Sequence, residues 1–151
     1  MTDYKNIRSK LHSLLSSLDQ DKIMLAIITL LGGGSVALSA SFVFYNLLES
    51  YVDFLSNQSK LAKRYGGYMV KTVANINEDT GLSVKQIRNA LDKLKEYGFI
   101  VTKTRGNNNH TTIKVNVECV DLIEKAYEKF KTERDKRIEA RKCEEEYCEE
   151  N

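Results

Sequence analysis

Proline and tryptophan are both absent from the 151-residue chain. Without proline there is no obligatory helix breaker, so helices can run long, and only glycine and polar turn residues punctuate them. Cysteine is scarce. Cys119 stands alone, and Cys143 and Cys148 have no histidine near them. An odd number of thiols without zinc-ligand spacing argues against a disulfide scaffold or metal site and points to reduced thiols in a cytoplasmic setting. A Cys143–Cys148 bridge, or an intermolecular one, is the alternative. The two histidines, His12 and His110, are far apart in sequence and belong to no catalytic or metal motif. Enzyme signatures are missing as well: there is no phosphate-binding Gly-Lys loop, no framed pair of carboxylates and no nucleophile beside a base. Gly32–Ser35 lacks the following lysine and preceding strand of a phosphate loop. The chain is therefore expected to be no enzyme, to need no cofactor and to take no small-molecule substrate.

Charge is missing altogether from Ile23 to Leu48, a run of 26 residues. That is long enough to span a bilayer, but Gly32, Gly33, Gly34 and Ser35 interrupt its middle. The interruption reads as a connection between two buried helices, and attachment to a membrane through 23–48 is kept as the alternative. The net charge of +2 conceals a division. Residues 1–117 carry 15 Lys/Arg against 9 Asp/Glu, whereas residues 118–151 carry 8 against 12. The imbalance is greatest in residues 60–117, with 11 basic against 4 acidic. A basic module followed by an acidic tail suits a nucleic-acid partner.

Apolar spacing predicts a helix over 4–18 on the stripe Tyr4, Ile7, Leu11, Leu14, Leu15 and Leu18. A second runs from about Lys22 to Leu31, capped by Asp19 or Asp21. A third spans about Ala37 to Asn57, with Leu38, Phe42, Tyr45, Leu48, Val52 and Leu55 as its stripe. Ser59–Gly67 is expected to be a basic loop, and Tyr68-Met69-Val70 a short strand. Thr72 caps a helix that ends near Gly81. Ser83-Val84-Lys85-Gln86 is a capping box that opens a helix to Tyr97, with Val84, Ile87, Ala90, Leu91 and Leu94 buried and Gly98 as its stop. Phe99–Arg105 and Thr111–Val117 read as two strands joined by a turn at 106–109, with Ile113, Val115 and Val117 on one face and Thr112, Lys114 and Asn116 on the other. Cys119 to about Glu150 is a long helix with a short seam of Val120, Ile123, Tyr127 and Phe130. The fold class is mainly α with a small β-hairpin (α+β). Residues 1–58 form N-terminal helices that pack on or extend the core, 59–117 the central module, and 118–151 a charged helix and tail.

Thr80-Gly81-Leu82-Ser83-Val84-Lys85-Gln86-Ile87-Arg88, with Leu91-Asp92-Lys93-Leu94 and Gly98-Phe99-Ile100, resembles the winged helix-turn-helix domains of phage, plasmid and archaeal-virus regulatory and replication proteins. Thr104-Arg105-Gly106, Thr111-Thr112 and Val115-Asn116 resemble their wing. The resemblance covers about 50 residues, and it implies a double-stranded DNA partner, with 83–97 as recognition helix and 99–117 as a basic wing. A virus protein of this kind would work in the host cytoplasm. The N-terminal residues of a recognition helix reach base edges in the major groove, which selects Ser83, Lys85, Gln86, Arg88 and Asn89. Gln86 and Asn89 suit adenine, and Lys85 and Arg88 suit guanine or phosphate. On the wing, Lys103, Arg105, Asn108, His110 and Lys114 are candidate DNA contacts, with Lys60, Lys63 and Arg64 as further phosphate contacts. A transcriptional regulator is the leading expectation. The alternatives are a replication-initiation or partition accessory protein of a mobile element, and a winged-helix protein-interaction module. A homodimer is expected, its interface formed by the Val120–Phe130 seam against residues 4–18 or 37–57 of a partner.

Overall fold

The computed structural model describes residues 3–105 and 110–150; for Arg105, His110 and residues 147–150 it describes the backbone only. The order is α1 (Tyr4–Ser17), α2 (Gln20–Leu30), α3 (Ser35–Asn57), α4 (Ser59–Arg64), β1 (Met69–Val70), α5 (Val73–Thr80), α6 (Val84–Glu96), β2 (Ile100–Arg105), β3 (His110–Val115) and α7 (Cys119–Glu150). The fold is mainly helical, with one three-stranded antiparallel sheet in the order β1-β3-β2. The turn expected at 106–109 lies outside the described residues.

The chain builds one continuous core around α3. This helix packs against α6, α5, α2 and α1. Its fully buried line is Ala37, Ala40, Val43, Phe44, Leu47, Leu48 and Tyr51, continued by Phe54 and Leu55. The stripe expected from the sequence is out of phase with it: Leu38 is 48% exposed and Phe42 40%. The physical reason is that α3 is covered from several sides. It is apolar around most of its circumference, and such a helix satisfies more than one helical spacing. The small residues Ala37, Ala40 and Ser41 are what bring neighbouring helices close, and an apolar count passes over them. Phe44 meets Phe99 edge-on, ring centroids 5.2 Å apart, and so ties α3 to the segment that leaves α6.

Three further expectations need correction. Ser59–Gly67 is not a loop, since Ser59–Arg64 is the helix α4, anchored by buried Ala62 and ended by Gly66 and Gly67. Asp19 stands at the N-cap of α2, yet its carboxylate makes no cap bond and instead lies 3.8 Å from Lys22. Val84 is 45% exposed rather than buried, because at the first position of α6 it precedes the turn that meets α3. Thr112 lies on the face opposite Ile113, as expected, but it is buried in the middle strand, with its hydroxyl donating to the Lys103 carbonyl at 2.9 Å.

The uncharged 23–48 run is divided between α2 and α3 by Gly32, Gly33 and Gly34, and among the described residues no helix is long and apolar enough to cross a membrane. The first turns of the α7 seam are covered within the chain, while Phe130 at its end is half-buried. Cys119, Val120 and Ile123 are buried, α7 lies along α2 and touches α1, Lys10 pairs with Asp121 at 3.2 Å, and Lys22 sits 5.8 Å from the Tyr127 ring centroid. Burial pushes the Cys119 thiol up to about 12, which leaves it protonated and unreactive at neutral pH. Cys143 is exposed and unpaired with Cys119, and the Cys148 side chain is outside the described residues.

Among the described glycines, Gly67 alone is closely surrounded. Its backbone is left-handed (φ +85°), and the buried Tyr51 hydroxyl donates to its carbonyl at 2.7 Å. A Cβ here would meet Tyr4 Cε1 at 3.0 Å and the Tyr51 hydroxyl at 3.1 Å, whereas one on Gly66 (φ +63°) would meet nothing. Gly66→Ala should therefore lose only the left-handed penalty of about 1–2 kcal/mol. Gly67→Ala should lose clearly more, because α1 and α3 must also give way. Urea denaturation of the two variants checks the order, and equal losses would mean that Tyr4 and Tyr51 yield freely.

Candidate nucleic-acid interface

The approach to α6 is fixed by short-range hydrogen bonds. Thr72 accepts from the Asn75 amide at 3.1 Å and Asn75 accepts in return from the Thr72 amide, so α5 starts on a capping box. The helix stops at Gly81, whose φ of +75° turns the chain without the steric penalty that a Cβ would bring. Around that turn the Thr80 hydroxyl donates to the Ile76 carbonyl at 2.7 Å and accepts from the Leu82 amide at 3.2 Å, while Asn77 Nδ2 donates to the Leu82 carbonyl at 2.6 Å. The second capping box follows directly: Ser83 Oγ accepts from the Gln86 amide at 3.2 Å, and Gln86 Oε1 accepts from the Ser83 amide at 2.9 Å.

Ile87, Ala90, Leu91 and Leu94 hold α6 against α3, and Ser83, Lys85, Gln86, Arg88 and Asn89 are all exposed on its first turns. Their chemistry divides. Ser83 and Gln86 are committed to each other, and Gln86 keeps only its amide donors for anything else. Lys85, Arg88 and Asn89 have no hydrogen bond or ion pair among the described residues. Two features were missed by sequence reasoning. Val84 joins this face and can meet a thymine methyl. Ser35, Val36 and Ser39, at the start of α3, line a shallow cleft with Lys85, Gln86 and Asn89. The signal for Val84 was available, since a residue just inside a capping box need not share the phase of the later stripe. The cleft depends on tertiary packing and had no local signal.

The hairpin residues fall elsewhere. Pairing of Met69 with Ile113, Val70 with Thr112, Val101 with Lys114 and Lys103 with Thr112 gives the sheet an inner and an outer face. Met69, Ile100, Ile113 and Val115 face the core. Val70, Val101, Lys103, Thr112 and Lys114 belong to the outer face. There the Lys103 and Lys114 ammonium groups gather over the ring of Tyr68, 4.8 Å and 5.9 Å from its centroid. Sequence reasoning assigned Tyr68 only to a strand. Asn108 lies outside the described residues, as do the side chains of Arg105 and His110. Of the α4 cations, Lys60, Lys63 and Arg64 are exposed, and Arg64 stacks 5.4 Å from the Tyr65 centroid.

The two predicted groups thus occupy different surfaces. The α6 residues adjoin the first turns of α3. Tyr68 lines a cleft with Ser50, Asp53 and Phe54 near the end of α3. The stretch of α3 from Ser39 to Asp53 is about 21 Å long at 1.5 Å per residue.

A small polar network sets the position of α5. Lys71 Nζ lies 2.8 Å from Asp79 Oδ2 and donates to Ser50 Oγ at 2.9 Å, and Asn46 Nδ2 donates to the same Asp79 oxygen at 3.2 Å. The hydrogen bond from Lys71, aided by that from Asn46, holds the Asp79 carboxyl below its ordinary value of 3.8. No family model matches the chain, and neither a curated protein nor a solved structure matches it.

A carboxyl with a depressed pKa stabilises the fold above its unfolded pKa, and that contribution is lost as pH falls through the folded value. Asp79→Asn should therefore lower stability by up to about 1 kcal/mol at pH 7, the range for a partly exposed pair. The gap from the parent should close as pH falls below 3.8. Denaturant titrations at neutral and acid pH test this, and a gap unchanged by acid would show that the ion pair contributes nothing.

Proposed function

We propose that the chain is a winged helix-turn-helix protein that binds double-stranded DNA and regulates transcription. In this reading α6 is the recognition helix and β2–β3 the wing. The observation that carries it is the first half of α6: a tight turn and a doubly bonded cap present Lys85, Arg88 and Asn89, exposed and without partners among the described residues, on a helix whose other side is locked into the core. A helix held so rigidly suits the major groove, where Arg reads guanine and Asn reads adenine. Neighbouring phosphates are met by Lys85 and by the distal hairpin, Arg105 with Asn108 and His110, which position the duplex without reading its sequence. Lys103 and Lys114 add positive potential to the wing. A replication-initiation or partition role would use the same face on a different DNA site. The three thiols and the absence of a candidate span among the described helices suit a protein of the cytoplasm, of the host cell if the chain is viral.

The reading includes a homodimer, on a different surface from the one that the apolar spacing of α7 suggests. The first turns of the α7 seam are occupied by α2 and α1 of the same chain. The exposed apolar residues Leu38 and Phe42, the latter in a shallow cleft with Leu25 and Ile28, are what support a second copy. A two-fold arrangement would set two copies of α6 about 34 Å apart on a palindromic site. Phe42→Glu should leave the chain folded and monomeric by light scattering, and a dimer that survives it would exclude this surface.

Arg88→Ala tests the recognition helix. It should weaken binding to a selected duplex by about 1–3 kcal/mol, with a much smaller loss on unrelated duplex. Equal losses on both would make Arg88 a phosphate contact, and no loss on either would remove α6 from the interface.

A further inference from the structure

The outer face of the sheet has a composition that a solvated surface does not need. An antiparallel sheet with one face on the core ordinarily turns polar residues to water on the other. Here Val70 is 62% exposed and Val101 48%, and they flank Tyr68 with its two lysines. None of the three strands contains an aspartate or glutamate, so no carboxylate within the sheet neutralises Lys103 and Lys114. The carboxylate that lines the cleft beside Tyr68 is Asp53 of α3, and neither lysine is ion-paired among the described residues. The attraction of each for the ring is weak, and both are easily drawn to a stronger anion.

A ligand that fits must combine flat apolar surfaces with regularly spaced negative charge. A duplex offers only the charge, because its base faces are hidden in the stack. A single strand offers both: its bases can lie on aromatic and aliphatic side chains while its phosphates meet cations. We propose that this face, centred on Tyr68, Lys103 and Lys114, is a binding site for single-stranded DNA. It is separate from the α6 surface and lies toward the opposite end of α3. On binding, the two lysines leave the Tyr68 ring for phosphates, and the freed ring takes a base. Val101 and Val70 extend the platform on either side. The choice of DNA rather than RNA rests on the duplex reading of α6, but the site itself does not.

The test is fluorescence anisotropy of the full chain with a labelled thymidine homopolymer of about 20 nucleotides, longer than one platform requires. Lys103→Gln with Lys114→Gln should make the salt dependence shallower by about 1.4 in log K against log salt, some 0.7 for each phosphate that is no longer neutralised. Val101→Asp should lower affinity at constant salt, since it puts a carboxylate where a base would lie. Circular dichroism and melting of each variant confirm that it is folded. Arg88→Ala should leave the homopolymer affinity unchanged, which separates this site from the α6 surface whichever way the duplex experiment falls. An unchanged salt slope in the double variant, or a parallel loss in Arg88→Ala, would overturn the proposal. Tighter binding of the uridine homopolymer than of the thymidine one would overturn the assignment to DNA.

Discussion

Covering α3 on several sides is the constraint from which the rest of the molecule follows. A helix of 23 residues that is apolar around most of its girth must be covered on several sides, and apart from its terminal residues only the line of Leu38, Phe42, Glu49, Asp53 and Ser56 stays open to water. The chain answers by packing α1, α2, α5 and α6 around it, with Phe99, at the entry to the sheet, set edge-on against Phe44 near mid-helix. Each surface feature is then set by its position along this axis. The exposed start of α6 lies beside the first turns of α3, and the Tyr68 cluster lies toward its last turns.

Polar interactions refine what packing determines. Lys71, Asp79, Ser50 and Asn46 join α3, α5 and the residue after β1 in one network, at the edge of the core rather than within it. Its members are partly exposed, so the network orients more than it stabilises. The two capping boxes act in the same way. They fix where α5 and α6 begin, and hence which residues of α6 reach outward.

Much of this was legible in the residues, where the signal was local. Thr72 and Ser83 as caps, a helix end near Gly81, Gly98 as a left-handed stop, and the alternation of Ile113 and Val115 are rules that operate within a few positions, and the structure carries all of them. The phase of α3 was not legible, because a helix buried from several directions has no single stripe to find. The helix Ser59–Arg64 was hidden by its charge, since its single buried residue, Ala62, leaves almost no apolar signal. For the candidate site, exposure of the α6 residues followed from the buried stripe. The separation of Lys103 and Lys114 from them did not, because it depends on how the sheet is placed against α3. The gathering of both lysines over Tyr68 joins two strands and the residue before a third, and no spacing rule spans that distance.

The outer length of α7 has a thermodynamic consequence. Residues 131–146 are exposed throughout, whereas Val120 and Ile123 are fixed in the core. A helix that touches no other element is governed by helix–coil equilibrium alone, and at this length such helices are marginal in water. The chain should accordingly not melt as one cooperative unit. Far-ultraviolet dichroism counts every helical residue and would begin to fall while the buried Tyr51 ring still reports an intact interior. A two-state analysis of the dichroism alone would then return too small an enthalpy, and amide exchange would divide α7 into a fast outer segment and a slow base.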